Sequence, residues 1–185
     1  MKTSRRQAAL NQLVRWDQSI TLLLNRTLRW RTVSPFFRAI SSLGNGKLWY
    51  MLMAILPVFH GEYGIRAVLH MGMTALVTLV VYKSVKGVTQ RPRPGAVHAS
   101  VTQGTSALDE YSFPSGHTMH SVAFSMIATA WFPALMPMLL TFTLLVAMSR
   151  VVLGLHYPTD VVLGAVFGLI ISELSLIFAS VPSAF

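Results

Sequence analysis

A histidine and a carboxylate near the end of the chain have the residue types and spacing needed for group-transfer chemistry. His156 and Asp160 stand four positions apart, on either side of Pro158, and a proline at this place can begin a helix. A carboxylate so placed can turn back and hold one imidazole nitrogen, which leaves the other nitrogen free as a nucleophile. The alternative is an ordinary histidine–aspartate contact at a helix start.

A second histidine, His117, ends the sequence PSGH, which precedes a long apolar run. Ser115 and Gly116 can provide an N-cap and unhindered backbone N–H groups, which together favour an anion at a helix start. His117 would lie in the first turn, where an imidazole can transfer protons near neutral pH. The alternative is a polar cap on a membrane helix.

Four cations accompany these residues. In the stretch KGVTQRPRP, residues 86–94, each proline disfavours a helical conformation of the arginine before it. We therefore expect a helix that ends near Lys86, with Arg91 and Arg93 on an extended segment beyond it. Arg150 precedes His156 by six positions. Ammonium and guanidinium groups suit the oxygens of a phosphate, although a basic loop at a membrane boundary is the common alternative.

The composition is that of a membrane protein. Of 185 residues, 53% are hydrophobic and 11% are charged, whereas soluble domains carry about 25% charged residues. The net charge of +9 is interpreted as contact with anionic lipid or a phosphate; no motif indicates nucleic-acid binding. The absence of cysteine excludes disulfides and cysteine-ligated metal sites.

Apolar segments of suitable length predict an all-α fold, an integral membrane helical bundle of five or six spans. The first 40 residues predict an amphipathic helix at the membrane interface, with Leu13 and Leu23 on its apolar face; a sixth span requires that part of residues 10–30 crosses instead. We expect one domain, 1–185, with an interfacial segment 1–44 and a catalytic helical core 45–185. The five predicted spans are residues 48–59, 65–82, 118–132, 134–147 and 161–178.

The predicted spans bring the three clusters to one side of the membrane. The basic cluster follows the second span, PSGH precedes the third, and residues 150–160 connect the fourth to the fifth. Because the third and fourth spans form a hairpin, all three clusters emerge on the same face. Two histidines, a carboxylate and several cations together are the pieces that phosphoryl transfer needs.

The three clusters resemble the motifs of the type 2 phosphatidic acid phosphatase family, whose pattern is K-x6-RP, PSGH and SR-x5-H-x3-D. Every position is present and in order, and the resemblance extends from about residue 83 to the end of the chain. The matching residues are Lys86 with Arg93-Pro94, then Pro114 to His117, then Ser149-Arg150 with His156 and Asp160.

The resemblance implies a metal-independent lipid phosphatase without a cofactor. In such an enzyme His156 attacks phosphorus, Asp160 orients it, and His117 protonates the leaving group. The phosphoryl oxygens would be held by Lys86, Arg93, Ser115, Gly116 and Arg150, with Arg91 as a second-tier contact.

The substrate class is a lipid phosphate in a bacterial inner membrane, with the side of the site left open. Phosphatidylglycerol phosphate, phosphatidic acid, undecaprenyl diphosphate and lipid A phosphates are the candidates. The alternatives are a phosphotransferase with the same site and a non-catalytic lipid-binding or transport protein. Asp109 and Glu110 are interpreted as solvating their loop rather than gating the basic pocket, and His120 as a packing residue.

Overall fold

The structure, a computed structural model, describes residues 2–179. All regular structure in this range is helical, which confirms the predicted all-α fold; residues 1 and 180–185, the ends of the expected single domain, lie outside it. Short helical turns lie at Arg26–Arg29, Leu43–Lys47 and Pro133–Leu135. The α-helices are α1 (Lys2–Asn25), α2 (Val33–Ser42), α3 (Leu48–Thr89), α4 (Pro94–Val97), α5 (Gly116–Trp131), α6 (Met136–Val152) and α7 (Pro158–Phe178).

Helix α3 is two antiparallel arms rather than one rod. Gly61 adopts φ 53° and ψ −131°, a conformation that only glycine adopts readily, and the chain reverses there. A Cβ on Gly64 would lie 2.2 Å from the carbonyl oxygen of Leu56, so the chain doubles back directly after the turn. The first arm, residues 48–60, and the second arm, residues 62–89, correspond to two of the predicted spans.

The chain is an integral membrane protein. By length and composition, three helical stretches of the described residues can cross a membrane: Val33–Val97, Pro133–Val152 and Pro158–Phe178. The first of these contains both arms of α3. The number of spans, five or six, stays a prediction.

Helix α5 is central and brings two parts of the site together. It packs on α3 and α6 around the buried side chain of Trp49, whose ring lies 5.0 Å from that of Phe124. On the α7 side the backbones approach closely, because a Cβ on Gly164 would lie 2.8 Å from the Ser115 carbonyl oxygen. A Cβ on Gly168 would lie 2.6 Å from the Met119 carbonyl oxygen. These contacts hold the start of α5 beside the start of α7.

Helix α1 is the predicted N-terminal helix, and a polar stripe attaches it to the protein body. Asp17, Thr21 and Asn25 are buried and recur at every fourth position, which places them on one helix face. The Asn25 amide donates to the carbonyl oxygens of Thr102 at 2.8 Å and Val152 at 2.9 Å. Leu13 and Leu23, predicted to form the apolar face, are exposed, as suits a helix at the membrane interface.

Candidate active site

His156 lies in the turn between α6 and α7 and is 1% exposed. Its Nε2 lies 3.3 Å from Nη1 of Arg93, and its Nδ1 lies 3.6 Å from Oδ2 of Asp160. Because a guanidinium group only donates, Nε2 carries the lone pair and Nδ1 carries the proton. Burial, and then the charges of Arg150, Arg93 and Lys86, hold the pKa of His156 well below its ordinary value. The imidazole is therefore neutral, with its unprotonated nitrogen directed at Arg93.

Asp160 is fully buried in the first turn of α7. Its Oδ2 accepts a hydrogen bond from the Tyr157 backbone N–H at 2.8 Å, and its Oδ1 accepts one from Nη1 of Arg91 at 2.6 Å. These two bonds fix the plane of the carboxylate. The predicted histidine–aspartate pair is therefore brought together, but at 3.6 Å, longer than a hydrogen bond.

Lys86 and Arg93 share one carboxylate oxygen, which belongs to Asp109. Nζ of Lys86 lies 2.6 Å from Oδ1 of Asp109, and Nη2 of Arg93 lies 2.5 Å from the same oxygen. Burial acts to raise the pKa of Asp109, but hydrogen bonds and charges from Lys86 and Arg93 outweigh it and hold that pKa below its ordinary value. The interpretation of Asp109 as a residue that only solvates its loop is wrong.

Arg150 and His117 complete the polar surface around His156. Arg150 is buried, its Nη1 donates to the Ser41 hydroxyl, and its Nε has no hydrogen-bond partner within the described residues. His117 lies in the first turn of α5, and its Nε2 contacts Oδ1 of Asn45. The segment before α3 thus contributes two polar contacts, from Ser41 and Asn45, that the sequence motifs do not include.

Ser115 and Gly116 have different positions in the site. Ser115 occupies the N-cap position of α5 as predicted, yet its buried hydroxyl pairs with that of Thr118 at 3.0 Å. The Ser115 backbone N–H donates to the Asp160 carbonyl oxygen at 3.0 Å. Gly116 lies on the wall of the cavity beside Tyr82. Of the two, only Gly116 faces the space in front of His156.

Arg91 lies behind His156 rather than in front of it, which differs from the predicted phosphate contact. It is absent from the cavity wall. Its guanidinium carbon lies 4.2 Å from the ring centroid of Tyr157. Nη2 lies 2.7 Å from Oδ2 of Asp17, and Nη1 lies 2.6 Å from Oδ1 of Asp160. Arg91 therefore holds two buried carboxylates.

A cavity of about 910 Å³ connects this cluster to the outer surface. Tyr50 and Leu76 line it and are 71% and 54% exposed, so one part of its opening lies among apolar side chains. The exposed residues Lys83 and Glu110 also line it. Within residues 2–179, no group of three or more histidine or acidic side chains is placed to hold a metal ion. The polar end is formed by Lys86, Arg93, His117, Arg150 and His156, and the apolar end by Trp49, Tyr50, Met53, Leu76, Leu79 and Phe124.

A membrane-embedded helical bundle with a buried histidine among cations indicates the class, an integral membrane phosphatase. The model of the PAP2 superfamily matches residues 67–181. The chain belongs to this superfamily, which confirms the resemblance seen in the three motifs.

Curated relatives and solved structures agree with this assignment. The chain is 33% identical to the decaprenylphosphoryl-5-phosphoribose phosphatase of Mycolicibacterium smegmatis, over 69% of this chain and 68% of that protein. It is 30% identical to the undecaprenyl-diphosphatase BcrC of Bacillus subtilis, over 73% and 69% of the two chains. The crystal structure of Aquifex aeolicus LpxE superimposes with a TM-score of 0.74 and 25% identity, covering 86% of this chain and 94% of that one.

Proposed function

We propose that the protein hydrolyses a phosphomonoester or diphosphate of a membrane lipid through a phosphohistidine at His156. The observation that carries this proposal is the cavity, which joins a cation-lined histidine nitrogen to an apolar opening. A lipid substrate has the same two-part character, an anionic head group and an apolar chain. The named activities of the relatives, on decaprenyl and undecaprenyl compounds, support a lipid substrate as well.

The first step transfers the phosphoryl group to His156. The lone pair of Nε2 attacks phosphorus while the bond from phosphorus to the leaving oxygen breaks, and His117 donates a proton to that oxygen. Lys86, Arg93 and Arg150 offset the charge of the phosphoryl oxygens, with the backbone N–H of Gly116 beside them. Asp160 stabilises the positive charge that develops on the imidazole.

The second step releases inorganic phosphate. His117, now neutral, takes a proton from a water molecule, whose oxygen attacks phosphorus as the phosphorus–nitrogen bond breaks. The free imidazole of His156 is regenerated. The lipid alcohol, or lipid monophosphate when the substrate is a diphosphate, leaves through the apolar end of the cavity.

The candidate substrates are phosphatidylglycerol phosphate, phosphatidic acid and undecaprenyl diphosphate, in a bacterial inner membrane. We further propose that residues 1–185 act as one domain. The hydrogen bonds from Asn25 to the carbonyl oxygens of Thr102 and Val152 support this, since they join the N-terminal segment to the helical core.

The test is phosphate release from a panel of these lipids by the purified protein in detergent micelles. We expect turnover without any added acceptor, a loss of at least about 10³-fold in His156→Ala, and near wild-type turnover in His60→Ala, an exposed histidine of the first arm. Loss of the lipid phosphate only with an added alcohol, with the phosphoryl group recovered on that alcohol, would instead identify a phosphotransferase. Equal lipid binding with no turnover in wild type would identify a binding protein.

The covalent intermediate has its own test, with His117→Ala and a phosphate ester of p-nitrophenol. This leaving group needs little protonation, so the first step continues while water activation is lost. We expect an acid-labile phosphoenzyme to accumulate in His117→Ala and to be absent from the double variant with His156→Ala. Phosphoenzyme that persists without His156 would exclude this nucleophile.

A further inference from the structure

Asp17 is a buried carboxylate that belongs to none of the three motifs and lies before the residues matched to the superfamily. It is 1% exposed. Its Oδ2 accepts from Nη2 of Arg91 at 2.7 Å and its Oδ1 accepts from the Thr159 backbone N–H at 3.0 Å; the Thr159 hydroxyl also donates to Oδ2. A carboxylate buried this deeply is stable only when it is paired and hydrogen-bonded, so Asp17 depends on Arg91 and Thr159.

Both groups that Asp17 holds are connected to the partner of His156. Arg91 donates through Nη1 to Oδ1 of Asp160 at 2.6 Å, and Thr159 directly precedes Asp160 in the first turn of α7. The bond from Arg91 is made to Oδ1, while Oδ2, which also accepts the Tyr157 backbone N–H, lies 3.6 Å from Nδ1 of His156. Asp17 thus fixes the orientation of Asp160 by two routes, through a side chain and through the backbone.

The charges of these groups also connect Asp17 to His156. One guanidinium lies between two carboxylates, so Asp17, Arg91 and Asp160 together carry a net charge of −1. This charge lies behind His156, on the side away from Lys86, Arg93 and Arg150. An imidazole with phosphorus on Nε2 and a proton on Nδ1 is a cation, which a nearby negative charge stabilises. Without Asp17, Arg91 neutralises Asp160 and that stabilisation is lost.

We propose that Asp17 is a positioning residue for phosphoryl transfer, acting on His156 through Arg91 and Asp160. This inference rests on the proposed phosphohistidine mechanism. It gives the N-terminal helix a part in the chemistry, in addition to its contact with the membrane.

The experiment compares Asp17→Asn, which keeps the shape and removes the charge, with Asn25→Ala, which removes the other polar attachment of α1. We expect Asp17→Asn to lower kcat about 10-fold with KM within about 2-fold, as carboxylates behind metal-bound histidines do. We expect Asn25→Ala to lower the unfolding temperature about as much as Asp17→Asn does. Its kcat should stay within about 2-fold of wild type. Equal kcat losses in the two variants would make Asp17 a structural attachment only.

A double variant tests the route through Arg91. If Asp17 acts through Arg91, Asp17→Asn adds little to the loss already caused by Arg91→Gln, so the effects are strongly non-additive. Fully additive losses, or a wild-type kcat in Asp17→Asn, would overturn the proposal. Wild-type and His156→Ala activities are measured in parallel, so a failure of the phosphatase function itself is recognised separately.

Discussion

Asp109 places a carboxylate oxygen between Lys86 and Arg93, where the mechanism requires a phosphoryl oxygen. Substrate must therefore displace the Asp109 carboxylate before both cations can bind phosphate. The neighbouring Glu110 is exposed and forms no salt bridge among the described residues, so it provides a matched control.

We expect Asp109→Asn to bind phosphate more tightly because the competing charge is gone. The inhibition constant for inorganic phosphate should fall about 10-fold, since hydrogen bonds to charged groups are worth about 1.5–3 kcal/mol and the Asp109 side chain is 38% exposed. Glu110→Gln should change it by less than about 2-fold. Weaker phosphate binding in Asp109→Asn would show that this carboxylate helps to arrange the cations instead of competing for them.

The lowered pKa of His156 predicts a pH dependence of stability. The folded protein resists protonation of this group, whereas the unfolded chain accepts a proton near the ordinary pKa of about 6.5. The stability that the neutral His156 contributes is complete above about pH 6.5. It decreases below that pH, by up to about 1.4 kcal/mol per pH unit. His156→Asn lacks this contribution.

The unfolding temperature in detergent, measured from about pH 7.5 to about pH 5.5, checks this expectation. The unfolding temperature of wild type should fall relative to that of His156→Asn as the pH falls. Parallel curves for His156→Asn would contradict a depressed pKa.

At the scale of elements, the contact between α5 and α7 sets the distance between PSGH and Asp160. A Cβ on Gly164 meets backbone, the Ser115 carbonyl oxygen, and backbone cannot rotate out of the way. We expect Gly164→Ala to destabilise the protein by about 1–3 kcal/mol and to lower kcat. Gly72→Ala, where a Cβ meets no heavy atom within 4 Å, should keep or raise the unfolding temperature, because alanine favours a helix more than glycine does. Equal stability of the two variants would show that the helices can separate freely.

The motifs predicted much of the site because each lies beside a helix end that the sequence marks. Pro158 begins α7, Ser115 precedes α5, and the prolines after Arg91 and Arg93 keep them out of a helix. The membrane then brings these ends to one face. The main elements were therefore predictable from apolar length and proline position.

The contacts with the N-terminal segment were not predictable in this way. Asp17 meets Thr159 across 142 positions of sequence, and no local pattern specifies which groups a buried acid will hold. The four-residue spacing of Asp17, Thr21 and Asn25 was the available signal, but the prediction oriented α1 by its leucines, and Leu13 belongs to the same row. In a membrane protein the apolar face points outward to lipid, so the polar stripe marks the protein side.

At the scale of the whole molecule, the cavity between the arms of α3 predicts selectivity for long chains. Ala75 lines it, whereas Val77, two positions later, is exposed and does not. We expect Ala75→Phe to lower kcat/KM for a long-chain lipid phosphate about 10-fold, from about 1–3 kcal/mol of steric conflict. Turnover of a short soluble phosphate ester should change little, and Val77→Phe should leave both substrates unaffected. Equal losses on both substrates would place the lipid chain elsewhere.

The apolar opening at Tyr50 and Leu76 makes the bilayer the reservoir from which substrate is drawn. The relevant concentration is then two-dimensional, the mole fraction of substrate among the surrounding lipids. Diluting the substrate within the vesicle membrane with inert phospholipid should slow the reaction. Adding more vesicles of the same composition should leave the rate per protein unchanged. The enzyme would thus respond to the composition of its membrane and not to the amount of substrate in the cell.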